Sequence, residues 1–210
     1  SRGIGLEIAR ELRAEGCRVQ TASRTEGFDL MPEDGPARLI EAMPPPDIIV
    51  HVLGGSQGIT DTLANSSDYS KVWRLNIGIA LEINNLCIPM MQRNKWGRII
   101  HLTSNATRIG TGYAPYTSAK GALEGYVKVA AREFSKDGVV ITAVAPGIVH
   151  TPGRYYASLD SAEQEAYFNA YIPTQRFGRA EEVAKVVAFL ASDHAGYMAG
   201  SIVQIDGGAR

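Results

Sequence analysis

The segment Ser1-Arg2-Gly3-Ile4-Gly5-Leu6-Glu7-Ile8-Ala9-Arg10-Glu11-Leu12-Arg13-Ala14-Glu15-Gly16, followed by Cys17-Arg18-Val19-Gln20-Thr21-Ala22, reads as a glycine turn, a helix and a strand. Ile4, Ile8, Ala9 and Leu12 recur at spacings of three and four, the apolar stripe of an amphipathic helix, and Gly16 supplies its C-cap. Gly3 and Gly5 open that helix, where glycine lets backbone amides approach a pyrophosphate and the helix N-terminus favours its charge. Alone, the two glycines fit a plain turn equally well. A phosphate-binding turn normally follows a strand, so the sequence is expected to be incomplete at its N-terminus and to lack a first strand.

Outward from that unit the pattern alternates. Strands are expected at Cys17 to Ala22, Phe28 to Leu30, Asp47 to Leu53, Arg98 to Leu102, Val139 to Val144 and Ile202 to Ile205. Between them fall helices at Ala37 to Met43, Trp73 to Leu86, Tyr116 to Phe134 and Ala180 to Ala191. Alternation of this kind predicts an α/β fold with a parallel sheet, in one domain over residues 1–210. The Arg24 to Phe28 connection is too short for a parallel crossover, so either a tight loop replaces the helix or residues are absent from the sequence. Residues 148–179 form the least regular stretch and are expected to act as a substrate-selecting lid.

Composition narrows the function. The chain has 21 Lys and Arg against 22 Asp and Glu, a net charge of −1, so it lacks the cationic excess that nucleic acid binding requires. No stretch reaches the ~20 apolar residues of a membrane span. The two cysteines, Cys17 and Cys87, lie far apart in apolar runs; they indicate buried thiols in a reducing, cytoplasmic compartment and exclude a structural zinc site. No metal is expected.

Tyr116 and Lys120 stand four apart at the start of a predicted helix, on one face. A phenol of pKa near ~10 is a poor proton donor and acceptor at neutral pH, and an adjacent ammonium favours the phenolate. Two exposed helix residues would show the same spacing. Ser104 follows the strand ending at Leu102, so its hydroxyl and Tyr116 are expected at the carboxyl edge of a parallel sheet, and Asn76 is an amide in a predicted buried helix, which requires a partner.

Together these residues resemble the short-chain dehydrogenase/reductase family along nearly the whole chain, in particular its 3-oxoacyl-carrier-protein reductase-like members. The turn at Gly3 and Gly5 is similar to the family's second and third fingerprint glycines. Asn76, Ser104, Tyr116 and Lys120 fall in order on its catalytic tetrad. Pro146-Gly147, followed by Ile148 and Thr151, resembles the segment beside the nicotinamide, and Gly200 with Asp206-Gly207-Gly208 the C-terminal signature. The resemblance implies a doubly wound, Rossmann-type sheet and an oxidoreductase that interconverts a ketone and a secondary alcohol. Tyr116 would be the general acid-base, Lys120 would lower its pKa and hold the nicotinamide ribose, Ser104 would orient the carbonyl, and Asn76 would support a proton-relay water. Tyr113, whose fourth following residue is Thr117, is expected to line the substrate pocket with Tyr155 and Tyr156.

Where the family usually reads Asn-Asn-Ala-Gly, this chain has His51-Val52-Leu53-Gly54 and then Gly55; Gly54 still permits close cofactor approach, and His51 is expected to be a structural core histidine. Ser23 and Arg24 stand where an acidic residue would bind a ribose diol. With Arg2 beside the glycine turn and no carboxylate in the discriminating place, they favour NADP(H) over NAD(H). Asp29 and Leu30 are expected at the adenine. A homo-oligomer, a dimer or tetramer built on the two long helices, is implied as well. The competing function is a dinucleotide-binding regulator that senses the NADP pool without turnover.

Overall fold

In the computed structural model, which describes residues 3–151 and 158–209, four strands run parallel in the order β1 (Ile48–His51), β2 (Gly97–Leu102), β3 (Val139–Pro146) and β4 (Ile202–Ile205). Ile48 lies opposite Arg98, Gly97 opposite Val139, and Ala143 opposite Ile202. The two inner strands are buried at every residue, which is why they read as unbroken apolar runs, whereas β1 and β4 are only partly buried.

Eight helices cover the sheet among the described residues: α1 (Ile4–Ala14), α2 (Gly35–Ala42), α3 (Ser66–Trp73), α4 (Ile79–Asn94), α5 (Ala106–Ile109), α6 (Ala114–Phe134), α7 (Ser161–Tyr171) and α8 (Ala180–Ala191). Strand side chains alternate between two cores. Ile99, Ile141 and Ala143 pack with Ile83 of α4 and Val127 of α6, while Ile100, Leu102 and Val144 pack with Leu12 of α1 and Val187 of α8. Each fully buried side chain of this size, such as Ile79, Ile99 or Leu123, stabilises the fold by roughly 1.5–3 kcal/mol before the entropy of ordering is subtracted. Helices on both faces of a parallel sheet make this the expected doubly wound α/β architecture.

The first helix ends as its sequence requires. Gly16 adopts φ 87°, Gly16 N–H donates to Arg13 O at 3.0 Å and Cys17 N–H to Leu12 O at 2.9 Å, a Schellman closure. Three expectations need correction, while the Arg24 to Phe28 connection takes one of its two expected forms. Residues 17–22 and 28–30 join no ladder: Ser23 O instead accepts from both Glu26 N at 2.9 Å and Phe28 N at 3.0 Å, so the backbone bonds of this region close a local turn. The Arg24 to Phe28 connection is a tight loop, a 3-10 turn over Arg24–Glu26 closed by Gly27 at φ 88°. The buried helix expected from Trp73 to Leu86 runs from Ser66 to Asn94 and is interrupted by a π-helical turn at Arg74–Gly78. The 148–179 stretch contains α7. No helix among the described residues is long and apolar enough to cross a membrane.

Candidate active site

Tyr113 is extended and Pro115 lies in the first helical turn, a start that places Tyr116 in that turn and Lys120 one turn on. The Lys120 side chain passes inward, leaving the residue only 2% exposed, and its ammonium donates to Leu102 O at 2.7 Å and Leu53 O at 3.3 Å. These carbonyls lie at the carboxyl ends of β2 and β1, the edge where ligands bind open α/β sheets. Burial pulls the Lys120 pKa down to about 8, which leaves roughly nine-tenths of it protonated at pH 7. Its nitrogen lies 5.8 Å from the centroid of the Tyr116 ring. Ser104, just past β2, accepts Ala106 N–H at 3.2 Å, which orients its hydroxyl at the start of α5.

Asn76 is 2% exposed in the middle of the π-helical turn, and its amide is satisfied. Its Nδ2 donates to Val72 O at 2.8 Å and Gly55 O at 2.9 Å, while its Oδ1 accepts Gly55 N–H at 3.1 Å. A Cβ built on Gly54 would stand 2.7 Å from Asn76 Oδ1 and 2.9 Å from Lys120 Nζ. The structure therefore brings Asn76, Lys120, Gly54 and Gly55 together, with the Tyr116 ring beside the Lys120 nitrogen.

The glycine turn that opens α1 packs against the segments that follow β1 and β3. The N-cap of α1 is Gly3, which has no side chain to cap the first amides, the kind of helix start that can receive an anion. Gly3 at φ 55° has no room for a side chain, since a Cβ would lie 2.9 Å from Thr151 Cγ2, and a Cβ on Gly5 would touch Val52 at 3.5 Å. These contacts draw Gly3, Ile4 and Gly5, the end of β1 and Thr151 together. A Cβ on Gly55, at φ 141°, meets only open space. Gly147 N–H donates to Ile205 O at 2.9 Å, and Gly178 N–H to Ile148 O at 2.9 Å, so the segment after Pro146 is pinned on both sides.

Ser23 and Arg24 lie on the turn that follows the 17–22 stretch and Asp29 just beyond it; Arg24 and Asp29 are exposed, while the Leu30 side chain is buried in the core and leaves only its backbone to a ligand. One residue here was missed. Glu26 accepts from Thr21 Oγ1 at 2.5 Å and from Ser23 Oγ, and these hydroxyls hold its pKa near 2. A carboxylate therefore braces the turn beside Ser23. Its signal was present as an acidic residue three positions after Ser23.

Tyr113 is 48% exposed at the N-cap of α6. The expectations for Arg2, Tyr155 and Tyr156 fall outside the described residues. In the 148–179 stretch Tyr167 lies 4.9 Å from Tyr171 and Phe168 4.8 Å from Phe177, ring to ring, so much of this aromatic surface packs on itself. His51 is a core residue, buried and bonded through Nε2 to Asn84 Oδ1 at 2.8 Å. The C-terminal Asp206-Gly207-Gly208 is structural: Asp206 pairs with Arg108 at 2.7 Å, and a Cβ on Gly207 would lie 2.4 Å from Thr174 Oγ1.

Residues 33–210 match the family model described as enoyl-(acyl carrier protein) reductase. The chain is similar to the 3-oxoacyl-[acyl-carrier-protein] reductase MabA of Mycobacterium tuberculosis, at 33% identity over 99% of this chain and 89% of that protein. It is also similar to the corresponding reductase FabG of Escherichia coli, at 30% identity over 99% and 93%. Among solved structures, a 3-oxoacyl (acyl-carrier-protein) reductase from Agrobacterium tumefaciens with NADP bound superposes with a TM-score of 0.87 at 26% identity, covering 99% of this chain and 90% of that one.

Proposed function

Because the chain belongs to the short-chain dehydrogenase/reductase family of oxidoreductases acting on CH–OH and keto groups, we propose that it reduces a ketone to a secondary alcohol with NADPH. The observation that carries this reading is Lys120, buried at the sheet edge with its charged nitrogen 5.8 Å from the Tyr116 ring. The nicotinamide, when bound, supplies the hydride. Tyr116 gives its phenolic proton to the carbonyl oxygen as negative charge develops there, and the Lys120 ammonium stabilises the phenolate left behind. Ser104 donates a hydrogen bond to the same oxygen. Asn76 supports the proton-relay water while its amide holds Gly55.

When the cofactor binds, Gly3, Ile4 and Gly5 would cradle its pyrophosphate, Gly54, Gly55, Gly147 and Thr151 would border its nicotinamide half, and Arg24 would hold its 2′-phosphate. The NADP-bound neighbour supports this cofactor. An acyl-thioester ketone is the substrate class to test first, in keeping with the names of the relatives. Exposed Leu86 and Val129 on α4 and α6 support a homo-oligomer built on those helices, a tetramer in this reading. The free thiols Cys17 and Cys87 support a cytoplasmic setting.

The test is NADPH oxidation with acetoacetyl thioesters by the wild type and Tyr116→Phe. The variant is expected to bind NADPH as the wild type does and to lose nearly all turnover. Equal turnover by both proteins refutes the role of Tyr116, and NADPH binding with no turnover by the wild type on any ketone indicates a sensor.

A further inference from the structure

Arg74 opens the π-helical turn that carries Asn76, and its guanidinium lies among the carbonyls of the loop before α2. Its Nε donates to Met31 O at 3.2 Å, and its Nη2 to Pro32 O at 3.0 Å and Leu30 O at 3.4 Å. Nη1 pairs with Glu82, one turn into α4. Three consecutive carbonyls thus accept from one planar fork, an arrangement that a point-like ammonium does not reproduce.

The loop held this way starts at Asp29, whose Oδ1 accepts Met31 N–H at 3.1 Å. It ends at Gly35, where a Cβ would lie 2.7 Å from Asp29 O, so the loop has little slack on that side. Two residues beyond Arg74 in the same turn, Asn76 holds the backbone of Gly55 through both its N–H and its C=O. One five-residue turn therefore holds both the loop before α2 and Gly55.

We propose that Arg74 is a positioning residue that sets the adenine-side loop and links its occupancy to Asn76 and Gly55. This rests on the dinucleotide reading above. Irregular backbone is costly to order on binding, and a loop already fixed by a guanidinium spares that cost. A residue that merely supported the fold would weaken binding of both cofactor halves alike. A positioning residue weakens the adenine half first.

The test uses the two halves of the cofactor as separate probes, adenosine 2′,5′-bisphosphate and reduced nicotinamide mononucleotide, with intact NADPH titrated by nicotinamide fluorescence. In the wild type the adenosine fragment should slow exchange of the Gly55 amide; Arg74→Met should lower affinity for the adenosine fragment and for NADPH by roughly tenfold, leave the nicotinamide fragment unchanged, and abolish that slowing. Arg74→Lys, which keeps the charge, should show a smaller loss of the same selectivity and serves if the methionine variant does not fold. Unchanged affinity for the adenosine fragment in the folded variant overturns the inference, and so does an equal loss for both fragments. If the wild type binds none of the three probes, the dinucleotide reading itself fails and this inference with it.

Discussion

Gly54 shows how tightly the residues of the site are fitted. Its missing side chain leaves room for Asn76 Oδ1 and Lys120 Nζ, which would lie 2.7 and 2.9 Å from a Cβ there. Sequence reasoning picked out Gly54 for close approach of a cofactor; the structure adds that two side chains of the site need the same space. Gly54→Ala should therefore cost about 1–3 kcal/mol of stability by overpacking and depress kcat at least tenfold, as Lys120 is pushed from its carbonyls. Urea unfolding together with steady-state kinetics checks both; wild-type kcat in the variant would show that Lys120 tolerates displacement. Tyr116 and Lys120 were legible because a helix turns their spacing into proximity. Arg74 was not, because three of its four partners are backbone carbonyls, which carry no residue identity.

At the scale of elements, the four strands were legible wherever burial on both faces leaves a continuous apolar run, as in Arg98 to Leu102. Residues 17–22 alternate in the same β-rich way, yet a strand exists only where another backbone pairs with it, and pairing is not written in local sequence. The π-helical turn at Arg74–Gly78 was equally hidden, since one extra residue in a single turn shifts the apolar spacing by only one position. α7 escaped for a different reason. No residue of α7 is buried, so it has no apolar stripe to find; its readable signal was the capping pair Asp160 and Glu163, whose side chains and backbone N–H groups exchange two bonds of 2.9 Å. An 11-residue helix without burial is marginal, so Asp160→Ala, at about 1 kcal/mol, should speed amide exchange across α7 and leave the sheet amides unchanged. If the 148–179 stretch selects substrate, the ketone KM rises while kcat holds. Unaltered exchange in α7 would show that contacts other than the cap secure it.

The whole molecule carries its sharpest pH dependence in the core beneath the site. His51 of β1 stacks on His101 of β2 at 4.6 Å, and Asn84 of α4 joins them, its Oδ1 at 2.8 Å from His51 Nε2 and its Nδ2 at 3.3 Å from His101 Nε2 and 3.0 Å from the Tyr126 hydroxyl. With Nδ2 as the donor, His101 Nε2 accepts and Nδ1 carries the proton, buried without a hydrogen-bond partner among the described residues. Burial pushes His51 down to about 4 and His101 well below its ordinary value, and the nearby Lys120 ammonium acts in the same direction. In the unfolded chain each imidazole takes a proton near pH ~6.5; in the folded chain both refuse it. Between pH 6.5 and about 4 the unfolded state therefore binds more protons, and stability, complete above that window, falls as the pH drops through it. The slope is about 1.4 kcal/mol per pH unit for each histidine, large against a total margin of roughly 5–15 kcal/mol. The carboxylates of Glu26 and Glu182, held near 2, lose their contribution only as the pH falls below about 4.5, so their window lies lower. Urea unfolding at pH 7.5 and 5 should show a marked loss in the wild type, and His51→Gln, which keeps an amide donor toward Asn84 and removes one titrating group, should show about half of it. An identical loss in the variant would move the acid sensitivity away from this buried pair.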